Sequence, residues 1–203
     1  MKYNIKNVPT EYNGRLFRSR LEARWARFFD LLEWDFEYEP FDLNGWSPDF
    51  LLRGKYIKHD LVYTGKNPFA HLFKHLDMFE TIDHPVLVEV KPLDRFDKSA
   101  AKKITDAAAG KFEVLLLGTG LLNGTKLGWL YENELKWSSG WGEAIFTHEE
   151  KYGFAHSDGS FGCRINGSGS GSDNHLCNDF TEIKRLWQEA GTATMFLKPE
   201  KVL

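Results

Sequence analysis

The chain has 203 residues, 42% hydrophobic, 15% aromatic and 27% charged, with 26 basic against 29 acidic side chains and a net charge of −3. These proportions suit one globular domain, or one domain with an appendage, and exclude collagen-like, coiled-coil and mostly disordered chains. Apolar runs such as VLLLG at 114–118 fall far short of the roughly 18 residues a membrane span needs, so no membrane partner is expected. The polar start MKYNIKNVPTEYNG lacks the apolar centre of a signal peptide. Two cysteines make no disulfide scaffold, and a reducing, cytoplasmic location is the expectation.

Charge is unevenly spread. Residues 14–27, GRLFRSRLEARWAR, set Arg15, Arg18, Arg20, Arg24 and Arg27 against Glu22 alone, a window of +4 that leaves −7 elsewhere. In the same window Leu21, Trp25, Phe28, Phe29 and Leu32 recur on one face of a helix. Ser19 is its N-cap candidate, with Glu22 completing an S-x-x-E capping box. FEYEP (36–40) and DFLL (49–52) read as short strands separated by a turn at NGWSP (44–48). Residues 53–85 read as an insertion, with a short amphipathic helix over Phe69–Phe79. VLVEVK (86–91) is the clearest strand, DKSAAKKITDAAA (97–109) a helix ended by Gly110, and EVLLLGT (113–119) and KLGWLY (126–131) further strands.

Beyond residue 138 the chain turns rich in Gly, Ser, His and Trp, and NGSGSGSD (166–173) reads as a flexible loop. DFTEIKRLWQEA (179–190) reads as a last helix, with Phe180, Ile183, Leu186 and Trp187 on one face.

Pro48-Asp49 at a strand start, Glu89-Val90-Lys91 on the central strand and Glu22 on the preceding helix form the constellation that carries chemistry. Residues two apart on a strand share a face, so Glu89 and Lys91 point together. With the Asp49 strand beside theirs, three polar side chains converge at one end of an apolar sheet. Two carboxylates suit a hard cation such as Mg²⁺, with Mn²⁺ an equivalent, and Lys91 beside it could assist a water or the charge building on a phosphate.

This set resembles the PD-(D/E)XK nuclease superfamily. FRSRLEARWARFF (17–29), FEYEP, SPDFLL (47–52) and VLVEVK look like its phage and prophage branch. They are also similar to endonuclease I-type Holliday-junction resolvases and to nuclease subunits of heteromeric transposons. The resemblance covers about residues 14–120. It implies that Glu22, Asp49 and Glu89 bind metal and that Lys91 assists the water. It also implies an α/β fold, a restriction-endonuclease-like mixed central sheet of four or five strands flanked by helices. Residues 1–138 would be the nuclease-like core, with the insertion at about 53–85, and 139–203 a small C-terminal appendage holding the Gly/Ser loop and the terminal helix.

Plainer readings stand beside these. Glu22 could be only a capping acid, Asp49 a turn residue, and Glu89 with Lys91 the solvent face of an edge strand. The arginines could be a solvated helix face, although Arg15, Arg18, Arg20 and Arg24 suit DNA phosphates by bidentate geometry. Zinc needs about four His or Cys ligands, and here only His175-Leu176-Cys177 is close-spaced. Related phage nucleases carry a cysteine-rich knuckle at this place, which keeps Cys163, His175 and Cys177 as a degenerate zinc candidate. Free thiols are the favoured reading.

The expected function is a metal-dependent DNA endonuclease, phage-related, with a homodimer fitting double-strand cleavage. The rivals are a catalytically silent nuclease-fold binding module and a phage protein that engages a host protein.

Overall fold

The computed structural model describes residues 8–59, 79–132, 140–148, 150–157, 162–167 and 176–195. It opens with a hairpin that helical periodicity does not indicate, β1 (Thr10–Tyr12) folded back on β2 (Arg15–Phe17). The turn residues Asn13 and Gly14 both take positive φ, 51° and 73°, which is the backbone a two-residue hairpin needs and Asn-Gly tolerates best. Helix α1 (Arg20–Leu31) follows and is capped as expected, with Ser19 Oγ accepting from the Glu22 N–H at 3.1 Å. Its apolar stripe buries Trp25, Phe28 and Phe29, each contributing up to about 3 kcal/mol.

Next come β3 (Phe36–Tyr38) and β4 (Phe50–Leu52). In the stretch expected as an insertion, β5 (Lys55–His59) pairs with β6 (Phe79–Asp83) as a separate two-stranded ribbon. The helix expected over 69–79 lies outside the described residues, except that Phe79 belongs to β6. β7 (Val86–Val90), α2 (Lys98–Ala108) and β8 (Glu113–Leu117) form a parallel crossover unit. Asp97 caps α2 by accepting from the Ser99 and Ala100 N–H groups, and Ala109 ends it in a left-handed conformation. β9 (Lys126–Tyr131), β10 (Trp141–His148), β11 (Tyr152–His156) and α3 (Thr181–Met195) complete the described elements.

The α/β class therefore holds, with a mixed central sheet that has seven strands rather than four or five, in the order β11-β10-β9-β8-β7-β4-β3. Val86, Val88, Val90, Leu115 and Leu117 face α1 and α3, where Trp25, Phe28, Ile183 and Leu186 pack. Leu87, Val114 and Leu116 face α2 through Ile104, Ala107 and Ala108. Alternation along two central strands thus fills two apolar layers, one on each side of the sheet.

The expected C-terminal appendage is corrected. β10 and β11 extend the central sheet beyond β9. α3 lies on α1, with Trp187 and Trp25 rings 4.3 Å apart. The physical reason is that an open β9 edge and a bare α1 face each need a partner, and this segment supplies both. Of the Gly/Ser stretch at 166–173, only residues 166 and 167 are among those described. No helix among the described residues is long and apolar enough to cross a membrane.

Candidate active site

Asp49 and Glu89 meet because β4 and β7 are antiparallel. Phe50 pairs with Val88, so continuing that register by one residue sets Asp49 across from Glu89. β7 lies between β4 and β8, which removes the edge-strand reading of Glu89 and Lys91. Both acids are 4% exposed, although each is charged when ionised.

Each carboxylate is held by specific donors. Asp49 Oδ2 accepts the Val90 N–H at 2.7 Å. Glu89 Oε2 accepts the Trp46 indole N–H at 2.8 Å, and Glu89 Oε1 pairs with the Lys91 ammonium. Trp46 reaches that position from the turn at 43–46, where Gly45 takes a φ of 81°. Lys91 is just past the end of β7 and its side chain is 45% exposed, so its head lies at the mouth of the cluster.

Glu22, 6% exposed, comes from the first turn of α1. Its Oε1 accepts from Ser19 Oγ at 2.7 Å, and its Oε2 accepts from Tyr38 Oη at 2.6 Å and from the Arg18 N–H at 3.2 Å. The capping role and a place in the acid cluster coexist. Arg18 joins the two parts: its Nη2 is 2.5 Å from Asp49 Oδ1, its Nε is 2.9 Å from Glu39 Oε1 and 3.8 Å from Glu22 Oε2.

Crowding shifts the ionisation of the cluster. Asp49 is pushed up to about 7, first by burial and then by the Glu89 charge, with Glu22 adding to it. The Val90 N–H and the Arg18 charge oppose that rise without cancelling it. Burial works to lower the Arg18 pKa, but Asp49, Glu22 and Glu39 together raise it. Tyr38 is raised by burial and by the hydrogen bond it donates to Glu22.

The remaining arginines disperse. Arg15 shares a cavity of about 250 Å³ with Tyr12, Asp30, Trp34 and Asp35, none of them in the acid cluster. Arg20 is exposed at the first residue of α1. Arg24, a DNA-binding candidate by sequence, is engaged within the fold. Its guanidinium lies 3.8 Å over the Trp187 ring and donates to the Trp187 carbonyl at 2.8 Å, so it joins α1 to α3. Gly191 leaves room for it, since a Cβ there would come within 2.9 Å of the guanidinium carbon.

Cys163 and Cys177 are buried free thiols, and His175 lies outside the described residues. Burial raises the Cys177 thiol, whose Sγ sits 3.0 Å from the Asp179 carbonyl.

Among the described residues no group of three or more His, Cys, Asp or Glu side chains is placed to hold a metal ion. Glu22, Asp49 and Glu89 offer buried carboxylate oxygens, the donor type a hard divalent ion takes. As placed, protein cations sit on Asp49 and Glu89 instead. The residues that motif spacing does not reveal are Trp46, Tyr38 and Glu39. The alternation of Phe36 and Tyr38 on one short strand was the one available signal for Tyr38. No family model, curated protein or solved structure matches the chain.

Proposed function

We propose that the chain is a metal-dependent endonuclease that hydrolyses DNA phosphodiester bonds, of the PD-(D/E)XK type and phage-related. The observation that carries this is that buried Asp49 feels the charges of buried Glu89 and Glu22, with the half-exposed Lys91 paired to Glu89 at the end of β7. Buried acids in mutual repulsion, with a raised carboxyl among them, are the arrangement that function rather than stability favours.

Asp49 and Glu89 would hold Mg²⁺ or Mn²⁺, and Glu22 would support the ion or its water. When bound, such an ion supplies Lewis acidity and a water of lowered pKa. The Lys91 ammonium would lie beside the attacked phosphate, where it orients the nucleophile or offsets the charge developing on the phosphate oxygens. Trp46 would hold Glu89 in its rotamer, and Tyr38 with Ser19 would do the same for Glu22. Arg20, exposed next to the cluster in sequence, is the candidate for DNA backbone contact, and two copies of the chain would suit double-strand cutting.

A second reading has its own observation. Arg18 and Lys91 already neutralise two of the acids, as a silent nuclease-fold binding or protein-interaction module would require. The two separate on a panel of linear duplex, single strand, branched junction and RNA in Mg²⁺ or Mn²⁺. The nuclease reading expects cutting that stops in Ca²⁺ and falls about 10²–10⁴-fold in Asp49→Ala and Lys91→Ala. Binding without cutting, equal in wild type and Asp49→Ala, would establish the silent module.

A further inference from the structure

We propose that Arg18 is a resident competitor for the divalent cation at Asp49, so that guanidinium and ion exclude one another there and Arg18 sets the metal concentration at which the site fills. The inference rests on the nuclease reading above and goes beyond it to the regulation of that site.

Three observations carry it. Asp49 Oδ2 accepts the Val90 N–H at 2.7 Å, and Arg18 Nη2 stands 2.5 Å from Oδ1. A divalent ion about 2.1 Å from the same Oδ1 would put two positive centres within roughly 4 Å of each other. One of them must leave, or both bind weakly. Arg18 is also able to leave. Its side chain is 49% exposed, and Nε already touches Glu39 Oε1 at 2.9 Å on the outer side of the cluster. The guanidinium can therefore stay paired with Glu39 while it yields Oδ1.

The charge balance explains why such a residue is present. Glu22, Asp49 and Glu89 are buried together, and a fold that must form before it meets metal needs a cation among them. A guanidinium satisfies that need with directional hydrogen bonds. Lys91 serves Glu89 in the same sense, but its single ammonium touches one acid, whereas Arg18 bridges toward Asp49, Glu39 and Glu22.

The test is Mn²⁺ binding to the full chain by calorimetry, repeated with Ca²⁺ so that no turnover is involved, in wild type, Arg18→Gln, Arg18→Lys and Asp49→Asn. Arg18→Gln is expected to tighten binding about tenfold or more, because a neutral amide does not oppose the ion. Arg18→Lys, which keeps the charge but lacks the reach and fork, is expected to tighten it by a smaller factor and serves if Arg18→Gln does not fold. Millimolar guanidinium, far below denaturing concentration, should weaken Mn²⁺ binding to Arg18→Gln toward the wild-type value. Wild-type binding that Asp49→Asn abolishes and that neither Arg18 variant tightens would overturn the competition alone. Absence of Asp49-dependent binding in every variant would overturn the metal reading together with it.

Discussion

Two buried charge clusters stand at opposite ends of the parallel pair β7–β8, and they are built differently. At the strand ends, Glu89 meets Asp49 and Glu22, and among the described residues the half-exposed Arg18 and Lys91 are their counter-charges. At the strand starts, Glu113 pairs in register with Val86 and is clasped by Arg164, which is 0% exposed. Arg164 donates through Nε and Nη2 to the two Glu113 oxygens at 2.8 and 3.1 Å, gives Nη1 to the Gly162 carbonyl at 2.6 Å and lies 3.2 Å from Glu132. Burial works to raise Glu113, but the hydrogen bond from His84 and the Arg164 charge win and hold it below the usual range. Asp49 shifts the other way. One cluster is closed and holds strands, ribbon and loop together. The other carries an excess of negative charge under cations that water already reaches, and that is the end where a ligand can be accommodated.

The largest expected effect comes from opening the closed cluster. Arg164→Met takes the guanidinium away from buried Glu113 and Glu132 and should cost about 3–5 kcal/mol, or roughly 6–20 °C in Tm for a chain of this size. Lys91→Met removes a half-exposed, partly screened ammonium from Glu89, which keeps its Trp46 hydrogen bond, and should cost less, about 1–2 kcal/mol. Urea unfolding of the two variants side by side checks the contrast, and equal losses would erase it.

Next is a dependence on pH whose sign differs between the two ends. A carboxyl raised in the folded state binds its proton more tightly there than in the unfolded chain. Asp49 therefore makes the metal-free protein lose stability as pH rises from about 3.8 to about 7. Asp49→Asn should consequently be more stable than wild type at pH 8 in chelator, by on the order of 2–4 kcal/mol, with the gap closing toward pH 4. Glu113, lowered from 4.5, contributes stability above that value and loses it as pH falls through its folded pKa. Denaturant midpoints for Asp49→Asn and Glu113→Gln across about pH 2–8 should diverge accordingly; parallel curves would show that the two ends are electrostatically alike.

The smallest effect is expected at Ser19. Ser19→Ala removes the cap on the Glu22 N–H and the bond to Glu22 Oε1, and should cost about 1 kcal/mol. If Glu22 also belongs to the metal cluster, the same change should weaken Mn²⁺ binding, which a purely local cap would not do. Calorimetry on folded Ser19→Ala separates the two roles.

Local rules made a good part of this legible. Helix α1 and its Ser19 cap, α2 with Asp97 before it and Gly110 after it, and the strands around VLVEVK and EVLLLG follow from period, capping and β-branched content. The hairpin at Asn13-Gly14 was legible by the same standard, since Asn-Gly is a strong hairpin signal, but the arginine-rich helix beside it dominates the pattern. β10 and β11 were not legible. WGEAIFTH carries Gly, Glu and Ala with no clean alternation, and its half-buried pattern comes from lying between β9 and β11. The identity of such a strand is decided by its neighbours.

The same division runs through the site. Spacing and residue type alone single out Glu22, Asp49, Glu89 and Lys91, because alternation on a strand and a capping box are local and need no partner. Only the tertiary structure decided which charges face one another. The antiparallel register of β4 on β7 sets Asp49 across from Glu89, and the packing of α1 brings Arg18 onto Asp49 while sending Arg24 to Trp187. Arg18 and Arg24 are alike as letters in one basic run. They part because Arg18 lies on the bend between β2 and the Ser19 cap, beside the acids, whereas Arg24 lies within α1 against Trp187 of α3, so the same chemistry meets an acid cluster in one case and an aromatic ring in the other.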